Sequence, residues 1–141
     1  MPSIPSQING VVVEFSDDVV NDVSQPLITA LNSCIAPTLL DPGRPRIFTI
    51  SKIWISSVAD SHDMPSRHAQ HKAVDISRIN GMKIAVSYPG DPLVKTAVDS
   101  IQERFEGCLF KRENFGPHFK KKHGAPFSVS GHNDHIHLSV D

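Results

Sequence analysis

Hydrophobic and polar positions divide this chain into short extended segments and two helical ones. The strongest strand signal covers residues 46–57, where β-branched and aromatic residues partly alternate with polar ones. Shorter β-rich runs predict strands at residues 11–15, 73–77, 108–110 and about 135–140. Asn80 and Gly81 form a typical hairpin turn, so residues 82–87 are expected to pair with 73–77.

Two segments carry apolar residues at helical spacing. The first begins after the acidic start Ser16-Asp17-Asp18 and continues to Ile35, and Pro26 is expected to bend or divide it. The second covers residues 93–105 and stops at Gly107. Residues 111–131 are rich in Gly, Pro, Lys and His and predict a long surface loop. Together these patterns predict one α+β domain over residues 1–141.

The composition fits a single domain and excludes some partners. The chain has 141 residues, of which 39% are hydrophobic, and a formal net charge of −1. That balance lacks the basic face that nucleic acid or an anionic membrane would require, so neither is expected as a partner. The N-terminus has no signal-peptide pattern and no apolar stretch could span a bilayer, so we expect a soluble protein made in the cytoplasm. A monomer is expected as well.

The two cysteines, Cys34 and Cys108, are too few for a disulfide framework and form no Cys-x-x-Cys unit. Two buried thiols are expected, and a single disulfide remains open for an exported protein.

The histidines point to a metal site. Six of the eight lie in two windows, residues 62–71 and 132–137. His68 precedes Asp75 by seven residues, and strand alternation places His135 and His137 on one face with Ile136 on the other. Zinc favours imidazole and carboxylate ligands, and a catalytic site uses three protein ligands and leaves one position open. We therefore expect the two windows to meet around one ion, with His68, Asp75 and one histidine of the later pair as ligands.

A catalytic metal site also needs a proton acceptor. A bound ion lowers the pKa of water to about 7 from about 15.7, and a nearby carboxylate can then accept the proton and pass it to a leaving amine. Asp134 is the candidate, although strict alternation would point it away from His137. The role therefore requires Asp134 to lie at a loop-to-strand junction, which Gly131 and Asn133 favour. His135 would then orient a ligand or contact the substrate oxyanion.

Both windows resemble the signatures of the D-alanyl-D-alanine metallopeptidase superfamily, which includes zinc carboxypeptidases, L-alanyl-D-glutamate endolysins and hedgehog-like domains. The matching residues are Ser66-x-His68-x-x-His71-x-Ala73-x-Asp75 and Asp134-His135-x-His137. The resemblance implies Zn²⁺ bound by His68, Asp75 and His137, with Asp134 as the catalytic base. It also implies a small antiparallel sheet flanked by helices and a peptidoglycan peptide as substrate.

Two positions depart from the family pattern. His71 stands where the family has glycine, so the turn between the ligands is expected to differ in shape. The family also carries an upstream arginine that helps bind a substrate carbonyl or carboxylate, and residues 56–60 contain none. Arg67, His71 or Lys52 are the possible substitutes. Ser66 is expected to cap a turn or to bond a ligand carboxylate.

These observations favour a zinc peptidase that cleaves an amide bond next to a D-amino acid in peptidoglycan. A lytic or tail-associated enzyme of a bacteriophage, reaching the cell wall by phage-type release, would suit so compact a chain. The alternative is a non-catalytic zinc-binding module of the same fold. A zinc hydrolase that acts on another amide is a third option.

Overall fold

A computed structural model describes residues 2–59 and 66–141. The helices are α1 (Gln25–Cys34), α2 (Ile84–Ser87) and α3 (Pro92–Phe105). The strands are β1 (Gln7–Ile8), β2 (Val11–Phe15), β3 (Thr38–Leu40), β4 (Ile47–Thr49), β5 (Lys52–Ser57), β6 (Ala73–Ile79), β7 (Met82–Lys83), β8 (Lys111–Phe115), β9 (Lys120–Lys122), β10 (Ala125–Pro126) and β11 (Ile136–Val140).

Within the described ranges, nine strands form one sheet in the order β1-β2-β5-β6-β11-β8-β9-β10, with β7 paired to β6, while β3 and β4 form a separate pair. The α+β class predicted from the sequence is therefore confirmed. The sheet is larger than the small antiparallel one expected and is mixed, because β2 and β5 run parallel. Parallel neighbours need a long crossover, and α1 with the β3–β4 pair supplies it.

The core lies where α1 and α3 pack against each other and against β11. Leu31 of α1, Phe105 of α3 and Ile136 of β11 are all fully buried there. Asp91 caps α3 by accepting a hydrogen bond from the Val94 amide at 3.0 Å, and the helix predicted over residues 93–105 is confirmed. No helix in the part of the chain that the structure describes is both long and apolar enough to cross a membrane.

Three elements have bounds that differ from those predicted from the sequence. The first helix starts only at Gln25, because Pro26 occupies its first turn, where a missing amide costs nothing, instead of bending its middle. The strand predicted over residues 46–57 is divided into β4 and β5, and the Asn80 side chain accepts a hydrogen bond from the Ser51 amide (2.8 Å) at the break. After the Asn80-Gly81 turn only two residues are extended before α2 begins.

The predictions of a long loop over residues 111–131 and of a strand over residues 108–110 are wrong. This region contains the two-residue β10 (Ala125–Pro126) and, before it, β8 and β9, whose sequences are mostly charged. Because their polar side chains border a cleft or solvent, these strands lack the apolar alternation that reveals a half-buried strand.

Cys34 and Cys108 are free thiols, the first buried and the second half-buried. Burial raises the pKa of the Cys34 thiol to about 12, so it stays protonated at neutral pH.

Candidate metal centre

Strand pairing brings the two histidine windows together. β6 and β11 are antiparallel neighbours, and Asp75 and His137 lie directly opposite each other in their register. His68 lies in the turn that precedes β6, and its Nε2 is 3.2 Å from Asp75 Oδ1. His137 Nδ1 lies 2.9 Å from the same oxygen and 3.2 Å from His68 Nε2. These three residues, the triad below, form a mostly buried group that can hold a metal ion.

The outer nitrogen of each imidazole is already engaged. His68 Nδ1 lies 2.7 Å from the Val58 carbonyl oxygen, which can only accept, so that nitrogen carries the proton. His137 Nε2 lies 3.1 Å from a carboxylate oxygen of Glu113, which fixes its proton in the same way. The inner nitrogens therefore present lone pairs toward Asp75. Three converging acceptors need a cation or an additional proton between them, and this donor chemistry fits a metal ion.

The pKa values of the site without a metal ion also indicate that it favours an additional positive charge. Burial alone would lower the pKa of His137, but its bonds to Asp75 and Glu113 raise it to about 9. Burial would raise the pKa of Glu113, but hydrogen bonds from His137 and Ser139 lower it to about 2. Burial would raise the pKa of Asp75, but its contacts with His137, which carries an additional proton in the metal-free site, and with His68 lower it well below its usual range.

Glu113 is the residue that the sequence analysis missed. It lies on β8, next to β11, and Ser139 Oγ donates to its Oε1 at 2.8 Å. The Phe115 ring, also on β8, stacks on His137 with centroids 5.6 Å apart. No local motif marks Glu113, because its segment resembles a loop. A carboxylate bonded to the far nitrogen of a ligand histidine is the usual support of a metal centre.

Asp134 and His135 form a pair beside the triad. Asp134 precedes β11 at a bend, as its proposed role requires, but its side chain is 67% exposed and bonds His135 Nδ1 at 2.6 Å. His135 Nε2 lies 3.9 Å from Asp75 Oδ1. Among the described residues, Asp134 therefore reaches the triad through the His135 ring.

His71 belongs to the turn between the two ligands and does not join the triad. Its backbone has φ 61°, the left-handed conformation that glycine adopts at little cost, so the turn keeps a glycine-like shape. Its imidazole donates to the Asp22 carbonyl oxygen at 2.9 Å instead of facing the site. Ser66 Oγ accepts a hydrogen bond from the His68 amide at 3.2 Å and so caps the same turn.

Two clefts border the triad. The Glu113 cleft, of about 480 Å³, includes His137. Its other described lining residues are Ser66, Arg67, Gln70, Arg112, Glu113, Phe115 and His132. The Arg78 cleft, of about 360 Å³, includes Asp75 and is also lined by Trp54, Ser56, Ser77, Arg78, Lys83, Ala85, Asp134 and His135.

Arg67 and Lys52, which were possible substitutes for the upstream arginine, differ in position. Arg67 lines the Glu113 cleft and donates to Gln70 Oε1 at 2.8 Å. Lys52 lies 3.4 Å from Glu14 at the surface. His62, from the first window, and Asp60 lie outside the described residues.

Comparison of the chain with protein-family models, with curated proteins and with solved structures finds no match. Its class therefore follows from its own fold and site, an α+β protein with a buried His-Asp-His group suited to a metal ion.

Proposed function

We propose that this protein is a zinc-dependent peptidase of the D-alanyl-D-alanine metallopeptidase superfamily that hydrolyses amide bonds in bacterial peptidoglycan peptides. The observation that carries the proposal is the convergence of lone pairs from His68, Asp75 and His137 beside the Asp134–His135 pair. The signature residues quoted above add the family and the substrate.

Two imidazoles and one carboxylate suit zinc better than magnesium or calcium, which prefer sites made of oxygen ligands. When bound, the ion would act as a Lewis acid toward the amide and would lower the pKa of water near it. Val58 and Glu113 hold the two imidazoles in the tautomers that ligation requires, so the site needs little reorganisation.

The Asp134–His135 pair supplies the proton transfer. Asp134 is the proposed acceptor, and its bond to His135 Nδ1 fixes which nitrogen of that ring faces the triad. Either the carboxylate accepts the proton directly after a change of its rotamer, or the imidazole accepts it and Asp134 stabilises the resulting charge. In both cases the proton is then delivered to the leaving amine.

One observation favours the second candidate, a non-catalytic zinc-binding module. The Asp134 carboxylate is largely exposed and is held by its neighbour His135. A carboxylate in that position can equally be a surface residue.

The test is mass spectrometry of purified peptidoglycan incubated with zinc-loaded protein. Wild-type protein should release wall peptides, and Asp134→Asn should retain zinc but lose at least about a hundredfold in rate. Asp17→Asn, the same change at an exposed site in another part of the chain, is the matched control. His68→Ala should fail to retain zinc.

The possible outcomes separate the two functions. Zinc-loaded wild-type protein that releases no peptide would favour the binding module. Unchanged release by Asp134→Asn would refute its role as acceptor, and full zinc occupancy of His68→Ala would refute the ligand set. If His135→Gln loses as much rate as Asp134→Asn, the ring belongs to the proton path.

A further inference from the structure

Among the described residues, a cleft lies open on each of two sides of the triad. His137 lines the Glu113 cleft and Asp75 lines the Arg78 cleft, so an ion held by the triad would border both. Between them are the rings of His132 and His135, whose centroids are 5.1 Å apart. Each cleft alone has the size of a small ligand pocket, for which about 300–1,000 Å³ is typical.

The Arg78 cleft depends on an irregularity in strand pairing. Trp54 pairs with Arg78 while Ile55 pairs with Ile76, so Ser77 is an extra residue on β6. Such a β-bulge changes the side to which the following residue points. As a result Ser77 and Arg78 both line the cleft, as Asp75 does, and Ile76 stays in the core.

Arg78 is available to bind an anion. Its guanidinium lies over the Trp54 ring, 4.3 Å from the centroid. No carboxylate of the described residues lies within 4.0 Å of its nitrogen atoms. Trp54 therefore holds Arg78 in the cleft through a cation–π contact and leaves its hydrogen-bond donors for a ligand.

The Glu113 cleft offers a second cation. Arg112 Nε is buried and has no hydrogen-bond partner among the described residues. Its nearest carboxylate oxygen in that part of the chain is on Asp141, 4.0 Å from Nη1, and the Arg112 side chain is 24% exposed. A charged guanidinium without a close carboxylate is incompletely paired, and a carboxylate bound in the cleft would meet its exposed part.

Among the described residues, the two clefts carry one more cation than carboxylates, although the chain has a net charge of −1. Their four described cationic side chains are Arg67, Arg112, Arg78 and Lys83, and their three described carboxylates belong to Glu113, Asp75 and Asp134. Each of these carboxylates is already hydrogen-bonded to an imidazole. A bound divalent ion would add further positive charge.

We propose that the substrate is an extended acidic peptide that occupies both clefts, so that the protein cleaves an internal bond, with Arg78 and Arg112 binding carboxylates on opposite sides of it. This inference rests on the proposed function and specifies its substrate class and its mode. A peptidase that removes only a terminal residue would need one cleft closed behind the carboxyl terminus, whereas the described residues leave a cleft open on both sides of the triad.

The mode is tested with peptides built around the bond that mass spectrometry of the peptidoglycan digest identifies. One peptide is blocked at both ends, and two others have one flank shortened to the single residue beside that bond. The blocked peptide should be hydrolysed, and each shortened peptide should lose at least about tenfold in kcat/KM. Loss of hydrolysis on blocking the C-terminus, or equal rates for all three peptides, would overturn the inference while leaving the proposed function intact.

The two arginines are tested separately with the same blocked peptide. Arg78→Gln and Arg112→Gln should each raise KM at least about tenfold. Amidation of the carboxylates on one flank of the peptide should abolish the effect of one variant, and amidation on the opposite flank should abolish the effect of the other. Arg44→Gln, at an exposed position away from both clefts, is the matched control. Arg112→Lys keeps the charge and guards against a folding defect. If the KM effect of either variant is unchanged by amidation of each flank, or is lost equally on amidation of both, the assignment of the two arginines to opposite flanks is overturned.

A binding measurement provides a readout that does not depend on turnover. Calorimetric titration of the blocked acidic peptide into metal-free protein should give a Kd for Arg78→Gln at least about tenfold weaker than for wild type, with Arg44→Gln unchanged. Equal affinity in all three proteins, or no binding by wild type, would overturn the carboxylate site.

Discussion

Glu113→Gln tests whether the carboxylate behind His137 supports the metal centre. The substitution keeps the size of the side chain but removes its negative charge. Glu113 Oε1 lies 3.1 Å from His137 Nε2 and accepts from Ser139 Oγ at 2.8 Å, so the change acts on the far side of a proposed ligand without touching the ion's position. We expect the variant to fold and to bind zinc more weakly.

The size of the effect follows from the same contact. The Glu113 side chain is only 19% exposed, so solvent screens its interaction with His137 weakly. A hydrogen bond to a charged group in such a setting contributes about 1.5–3 kcal/mol. Loss of a carboxylate that supports a ligand histidine typically weakens metal binding about 10- to 100-fold, which corresponds to about 1.4–2.7 kcal/mol. The two ranges agree.

The assay is competition for Zn²⁺ with a chromophoric chelator at neutral pH, together with a thermal melt of the metal-free protein. Glu103→Gln is the control, because it makes the same charge change beside His118 at a side chain that is 63% exposed. A zinc Kd for Glu113→Gln within about twofold of wild type would refute the supporting role. An equal loss in Glu103→Gln would show that overall charge, and not the contact with His137, controls affinity.

Four further predictions concern stability and reactivity. Metal-free protein should lose stability as pH rises from about 6.5 to about 9, because the folded chain holds the His137 proton more tightly than the unfolded chain does; a Tm that is flat over this window would contradict the pKa shift. His71→Gly should retain zinc and change the free energy of unfolding by less than about 1 kcal/mol, since relief of the left-handed strain offsets the lost hydrogen bond; loss of zinc would instead make His71 a ligand. Titration with a thiol reagent should modify Cys108 in the native protein and Cys34 only after denaturation, so immediate reaction of both would contradict the burial of Cys34. Phe105→Ala, at a fully buried position on α3, should lower the free energy of unfolding in urea by about 3–5 kcal/mol, and a loss below about 1 kcal/mol would mean that the core closes around the gap.

The local sequence determined the elements whose signals are short in range. The cap and apolar face of α3 lie within one stretch of chain, so pattern and capping chemistry suffice to place that helix. The candidate ligands were found for a related reason. His137 interrupts the apolar strand β11, and alternation alone puts it on the face opposite Ile136. His68 and Asp75 were visible as a spacing of histidine and carboxylate.

Tertiary structure decided what depends on pairing between distant segments. Glu113 reaches His137 only because β8 lies beside β11, and nothing in the charged sequence of β8 indicates that neighbour. Arg78 faces the cleft only because the register between β5 and β6 slips by one residue at Ser77. Strand order and register are fixed by packing between residues far apart in the chain, which a local pattern does not contain. The sequence alone therefore indicated the candidate ligands, while the fold chose the residues that orient them and shaped the clefts beside them.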